Sequence, residues 1–297
     1  MTTSAPDPRP LAVPAPIGDV RTDALRRLMA VVDRLRDPDG CPWDLKQSLE
    51  SVAPHLVEEA HEVVEAVESG ADDHVVEEAG DLLMGIFLLA RIAEQEGRFD
   101  LAEVAEGVAE KLVRRHPHVF GQVRADSADA ALASWEAVKR AEREGKAEDT
   151  SALAGVPVAL PALQRAARLA DKARAAGFRW TDAGGALDKV VEELRELGEA
   201  FQAAGAAEAA AGELGAADRA RLEHELGDVL IAAAFLGSYL KIDPERAARE
   251  ALRRFERRFR ALEQGLGRPL VQCSLDELLA LWREVKGREG QEPEAGA

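Results

Sequence analysis

The sequence predicts an all-α fold built as two tandem copies of one helical bundle. Three observations carry that prediction. From about Thr22 onward apolar residues recur at helical spacing, no segment sustains an alternation of period two, and a set of charged motifs in the first half returns in the same order in the second. Composition agrees, because only 4% of residues are aromatic and Ala and Leu dominate a 46% hydrophobic set. Sandwiches and barrels draw instead on Val, Thr and Tyr.

The elements follow in order along the chain. Residues 1–20 form a Pro-rich lead-in (Pro6, Pro8, Pro10, Pro14, Pro16) with no basic stretch ahead of an apolar one, which reads as a disordered tail rather than a signal peptide. The first helix runs through Leu25, Leu28, Met29, Val32 and Leu35 and breaks at Asp37-Pro38-Asp39-Gly40. Val52–Val67 is amphipathic and ends at Ser69-Gly70. His74–Gln95 follows with Gly97 as its stop, and Leu101–Arg115 closes before Pro117. The expected organisation is a first helical domain over 21–140, a linker over 141–158, a second helical domain over 159–290 and a tail over 291–297.

The repeat fixes the correspondence between halves. Glu58-Glu59-x-x-Glu62, Glu78-x-Gly80-Asp81, Arg114-Arg115 and Trp135-x-x-x-Lys139 return as Glu192-Glu193-x-x-Glu196, Glu225-x-Gly227-Asp228, Arg257-Arg258 and Trp282-x-x-x-Lys286. Asp81 to Trp135 and Asp228 to Trp282 are both 54 positions. The large length change lies between the acidic segments, in the Ala/Gly/Glu-rich stretch 198–218, where a helical hairpin connection can lengthen without disturbing its helices.

Charge and cysteine content exclude several function classes. With 38 Lys+Arg against 55 Asp+Glu the net charge is −17, which opposes wide contact with nucleic acid or anionic lipid. The longest apolar runs, 82–90 and 229–236, are far short of the roughly 20 residues of a membrane span. Cys41 and Cys273 alone make neither a metal knuckle nor a disulfide framework, which suits a reducing cytoplasm.

The acidic spacing has chemical content. Residues three apart on a helix share a face, so Glu59/Glu62 and Glu78/Asp81 are carboxylate pairs, as are Glu193/Glu196 and Glu225/Asp228. The second pair of each copy sits in a very apolar helix, so its carboxylates are expected to point toward the core side. Buried carboxylates are costly unless they are paired or bind metal. Four oxygen ligands per copy and no thiolate suit Mg²⁺, with Mn²⁺ as a substitute. A di-iron bundle needs Glu-x-x-His pairs. Glu58 and His61 offer one, but the second copy has Arg195 at the matching position.

These motifs, together with Gly40-Cys41-Pro42-Trp43-Asp44, Arg114-Arg115-His116-Pro117-His118-Val119-Phe120 and the segment 254–260, resemble the MazG family of nucleoside triphosphate pyrophosphohydrolases within the all-α NTP pyrophosphatase superfamily. The resemblance covers about 22–290. It implies Mg²⁺-dependent hydrolysis of NTPs and dNTPs to monophosphate and pyrophosphate with little base selectivity, a housekeeping role in the nucleotide pool, and a homodimer or larger homo-oligomer. It also implies that Lys189, Arg221, Arg254, Arg258, Trp282 and Lys286 contact the nucleotide. Arg stands at 221 and 254 where Lys is expected, so the charge is kept while the geometry differs.

Glu193 joins the catalytic set. Glu192 and Glu58, each one residue ahead of its ligand pair, are candidates to orient or deprotonate water, or to be additional ligands. Trp282 and Trp135 are read as base-stacking or packing residues, and Trp43 as packing the first helix on the bundle. His116 and His118 are candidate phosphate contacts without counterparts in the second copy. His55 stands where the second copy has Lys189, which makes the second domain the expected main catalyst and leaves the first either active or structural. Two other functions compete with this reading: a pyrophosphohydrolase for one specialised nucleotide, and a non-catalytic interaction module with structural metal.

Overall fold

The computed structural model describes residues 18–121, 123–144, 149, 151–205 and 214–289, which fall into two compact units, 1–146 and 147–297. Among the described residues every regular element is helical. The proline-rich lead-in before residue 18, residues 206–213 of the stretch 198–218 and the 291–297 tail lie outside them.

In the first unit α1 (Val20–Leu35) starts on Asp19, whose carboxylate accepts from the backbone N–H of Arg21 and Thr22 at 2.9 and 3.1 Å. It ends where the break was expected. There Gly40 folds so tightly onto the helix end that a Cβ would lie 2.2 Å from the Leu35 carbonyl oxygen. Arg36, 8% exposed, holds the following loop from inside. Its guanidinium donates to the Asp44 and Gln47 carbonyls and to Gln95 Oε1 (2.8 Å), and Gln95 returns a bond to the Arg36 carbonyl. The charge of Arg36 is thus solvated by backbone dipoles, as a buried cation must be.

Next come α2 (Leu49–Ser69), opened by a reciprocal Ser48/Ser51 capping box, and α3 (Asp72–Gln95). Gly85 lets them approach, since a Cβ there would meet Leu56 at 2.8 Å. Val32, Val52, Phe87, Leu88 and Ile92 form the core between α1, α2 and α3. Each of those larger side chains contributes about 1.5–3 kcal/mol by leaving water. The unit is completed by α4 (Leu101–Arg115), with its own Asp100/Glu103 capping box, the single turn α5 (Pro117–Phe120) and α6 (Ala128–Glu144). α6 carries the helix past residue 140, into the segment read as linker.

The second unit repeats the plan with α7 (Ala162–Ala175), α8 (Ala183–Ala203), α9 (Ala216–Leu240), α10 (Pro244–Leu266) and α11 (Leu275–Glu289). Its buried positions are mostly alanines: Ala166, Ala170, Ala186, Ala200, Ala232 and Ala234. Polar and aromatic links tie α7 to α9. Arg174 pairs with Asp171 at 3.0 Å, Asp171 accepts from the buried Ser238 hydroxyl, and Trp180 packs edgewise on Phe235 and Tyr239.

The acidic pair keeps its expected face only in part. Glu78 and Asp81 share a helical stripe with the buried Gly85, Leu88 and Ile92, yet Glu78 is half-buried and Asp81 exposed, so the stripe leaves the core toward its N-terminal end. Val76, 74% exposed, lies on the opposite face.

Candidate metal and nucleotide site

The α2–α3 hairpin builds the first site. Gly70, at φ +74°, closes α2 in the left-handed conformation that glycine adopts without strain, and the chain turns directly into α3. The turn sets Glu59 of α2 against Glu78 and Asp81 of α3, with one carboxylate oxygen from each lying within 4.8 Å of the others. Glu62 is exposed and stands outside this trio, with its charge acting on Glu59.

The electrostatics of the trio are unfavourable without a cation. Glu59 Oε2 is buried and has no hydrogen-bond partner. Burial, reinforced by the charges of Glu62 and Asp81, holds its carboxyl above the usual carboxylate range. Glu78 is raised as well, by burial and then by Glu62, Glu77 and Asp81. An orphaned carboxylate oxygen amid like charges fits a hard divalent cation, which takes all-oxygen donors and supplies the missing counter-charge. His55, one turn before Glu59, reaches Glu58 at 3.7 Å and leaves the trio uncompensated.

The second site, on α8 and α9, has the same layout and a different counter-charge. Glu193, 6% exposed, converges with Glu196 and Glu225 within 4.8 Å. Lys189 Nζ lies 2.7 Å from Glu193 and 3.0 Å from Glu192, and these two carboxylates push the ammonium pKa upward. Asp228 stands outside the trio and pairs with His224 at 3.3 Å. Each unit therefore gathers three of its four expected carboxylates, and the fourth differs: Glu62 in one, Asp228 in the other. The all-oxygen donor set fits the same class of cation in both.

The remaining expected contacts divide among three helices. Arg221 is exposed on α9, one turn before Glu225; Arg254 is exposed and Arg258 half-buried on α10; Lys286 is exposed on α11. Trp282 packs on Phe255 at 5.5 Å between ring centres, and Phe255 stacks on Phe259, so this tryptophan fastens α11 to α10.

In the first unit the matching tryptophan behaves differently. Arg115 lies over the Trp135 ring at 5.3 Å and Lys139 at 4.7 Å, while Arg114 and Arg115 both pair with Glu142. Sequence reasoning did not single out Glu142. Reading α6 as a helix places residues 135, 139 and 142 on one face, which is the signal that finds it.

Trp43 also departs from expectation. It does not pack the first helix on the bundle but is 57% exposed, with its ring 6.3 Å from that of His55. The His116 Nδ1–H donates to the Leu112 carbonyl at 2.7 Å, and the ring sits 5.5 Å from that of His118, whose Nδ1 is buried without a partner.

Comparison with known proteins meets this geometry at the same helices. The MazG nucleotide pyrophosphohydrolase domain matches residues 47–120 and again 185–262, segments that hold all eight carboxylates. A nucleoside triphosphate pyrophosphohydrolase of Escherichia coli strain K12 is 39% identical over 89% of this chain and 97% of its own length. The nucleoside triphosphate pyrophosphohydrolase/pyrophosphatase MazG of Thermotoga maritima is 37% identical over 88% of this chain and 94% of its own. A crystal structure of a MazG-related protein from Thermotoga maritima is 33% identical, covering 38% of this chain and 97% of that one, with a TM-score of 0.34. With both halves matched, and relatives of this identity aligned along nearly their whole length, the chain belongs to the MazG nucleotide pyrophosphohydrolase family.

Proposed function

We propose that this protein hydrolyses nucleoside and deoxynucleoside triphosphates to the monophosphate and pyrophosphate in the presence of Mg²⁺, with broad tolerance of the base, and so limits the nucleotide pool. The observation that carries the reading is the duplicated carboxylate trio, in one copy of which a buried oxygen has no partner. The names of the relatives at 37–39% identity support the reaction.

The chain's own residues divide the work. A triphosphate carries about four negative charges at neutral pH, so a protein of net charge −17 must meet it with local positive charge. Glu193, Glu196 and Glu225 would hold the cation in the second unit and Glu59, Glu78 and Asp81 in the first, with Asp228 and Glu62 as the fourth ligand of each once they turn inward. When bound, Mg²⁺ (or Mn²⁺) offsets phosphate charge and lowers the pKa of a coordinated water. Lys189 turns from Glu193 and Glu192 toward the phosphates once the carboxylates are otherwise neutralised. Arg221, Arg254, Arg258 and Lys286 complete the cationic wall, with Trp282 bracing it.

Glu192, freed from Lys189, accepts the proton of the attacking water, and Glu58 has the same place in the first unit. The bridge between the α- and β-phosphorus breaks, and pyrophosphate leaves against the Arg/Lys cluster. The second unit, with its permanent cation at 189, is the main catalyst in this reading.

Assembly follows from the same helices. Val57, Val67 and Val76 in the first unit and Val191, Leu194, Leu226 and Leu230 in the second are all at least half exposed on the helices that carry the carboxylates. A second copy of the chain covers such surface in a homodimer or larger homo-oligomer. No helix among the described residues is long and apolar enough to cross a membrane, and the net charge disfavours nucleic acid as a partner. The cytoplasm, where nucleotides and reduced thiols coexist, is the compartment this reading requires.

The test is ion-exchange analysis of products from an NTP/dNTP panel with and without Mg²⁺. Monophosphate plus pyrophosphate, formed only with metal, is the expected result. Diphosphate plus phosphate would refute the assigned bond.

A further inference from the structure

The arginine pair that ends α4 already holds an anion, and the anion belongs to the chain. Arg114 Nε donates to Glu142 Oε1 at 2.6 Å, and Arg115 donates to Glu142 Oε2 through Nε at 2.9 Å and Nη2 at 2.6 Å. Both carboxylate oxygens are covered by guanidinium N–H donors, Oε1 by Arg114 and Oε2 by two donors of Arg115, and phosphate oxygens accept from the same groups. Arg115 and Glu142 are about four-fifths buried, which protects the contact from screening. The donors from Arg115 and then Arg114 pull the Glu142 carboxyl down to about 2, so the contact is charged at any working pH.

The surroundings add positive charge. The Arg115 guanidinium lies on the Trp135 ring, and Lys139 Nζ stands 4.7 Å from the centre of that ring. Arg114 and Arg115 thus share the Glu142 carboxylate, with Lys139 over the neighbouring Trp135 ring, in a chain whose net charge is −17. In the second unit Trp282 packs on Phe255, and Arg257, the counterpart of Arg114, is exposed.

We propose that Glu142 is a built-in competitor for polyphosphate in the first unit. Its carboxylate occupies the oxyanion position between Arg114 and Arg115, and a nucleotide's phosphate chain enters only by displacing it. The inference deepens the triphosphate reading and rests on it: Glu142 sets how readily the first unit's cationic pair becomes available, independently of the carboxylate trio on α2 and α3. The first unit also differs from the second in having His55 in place of Lys189.

The test is calorimetric titration of the full chain with inorganic tripolyphosphate in saturating Mg²⁺. Glu142→Gln keeps the shape and removes the charge, and should tighten binding at one class of site on the order of tenfold, the scale of one charge-assisted contact. Glu142→Ala should show the same gain, with circular dichroism confirming that either variant is folded. Adding Arg115→Ala to Glu142→Gln should abolish the gain.

Unchanged or weaker binding in the folded variants would overturn the proposal, and so would a gain that survives Arg115→Ala. A wild-type chain that releases pyrophosphate from NTPs while Glu142→Gln shows no tightening refutes the competitor alone. A wild-type chain that neither binds tripolyphosphate nor turns over NTPs refutes the reading beneath it.

Discussion

Replacing Glu59 by Gln should stabilise the metal-free chain and remove the stabilisation that metal gives the first unit. The magnitude follows from the geometry. At 4.8 Å, the outer limit of the trio, two carboxylates repel by about 0.9 kcal/mol in water and about 3.5 kcal/mol at an effective dielectric constant of 20. Asp81 is exposed and Glu78 half-buried, so values near the lower figure apply. Neutralising Glu59 removes two such terms within the trio, about 2 kcal/mol, and its repulsion with Glu62 besides. Gln also offers an N–H₂ donor to the neighbouring carboxylates.

For a unit the size of 1–146 this amounts to a rise in Tm of roughly 4–8 °C in EDTA. In saturating Mg²⁺ the order should invert, because wild type gains by mass action and the variant does not. Differential scanning calorimetry in both conditions is the assay. A variant less stable than wild type in EDTA, or one that gains as much from Mg²⁺ as wild type does, would refute the reasoning.

Four further outcomes are expected. Glu193→Ala should remove most NTP turnover while Glu59→Ala retains most of it; the opposite ranking in steady-state assays would make the first unit the main catalyst. Glu59 and Glu78 take up protons more readily folded than unfolded, so metal-free stability should rise as pH falls from neutrality toward the unfolded value of 4.5, and Glu59→Gln should flatten that rise. Glu142 has the opposite sign: its stabilisation is present above 4.5 and lost as pH falls through about 2, so Glu142→Gln should cost stability at pH 7 and progressively less as the pH falls toward 2. Gly40→Ala should destabilise by roughly 1–3 kcal/mol in chemical denaturation, since its Cβ has no room against the Leu35 carbonyl.

Much of this was legible in the sequence because helix periodicity and glycine breaks are local signals. Leu101–Arg115 occupies the helix read for it, and α3 ends at Gln95 before the expected Gly97. The repeat identified the carboxylates that each hairpin gathers, because i, i+3 spacing fixes a shared face before any tertiary contact forms.

What escaped depends on packing between helices. Trp43 and Trp180 follow corresponding glycines, yet one is exposed beside His55 and the other is packed by Phe235 and Tyr239. Neither spacing nor residue type distinguishes them. Glu142 lies 27 residues beyond Arg115, and only the return of α6 onto α4 joins them. Which carboxylate of each four stands apart also follows from side-chain packing, since Lys189 draws Glu193 inward and His224 draws Asp228 away.

The proposed function requires that each unit's carboxylate trio hold a divalent cation at which pyrophosphate is released. Titration with Mn²⁺, followed by the electron paramagnetic resonance of the free aquo ion, tests it most directly on wild type, Glu59→Gln and Glu193→Gln. The account predicts that each substitution removes or greatly weakens one class of bound ion, with the loss of turnover following Glu193→Gln. Identical Mn²⁺ binding in all three proteins would contradict it.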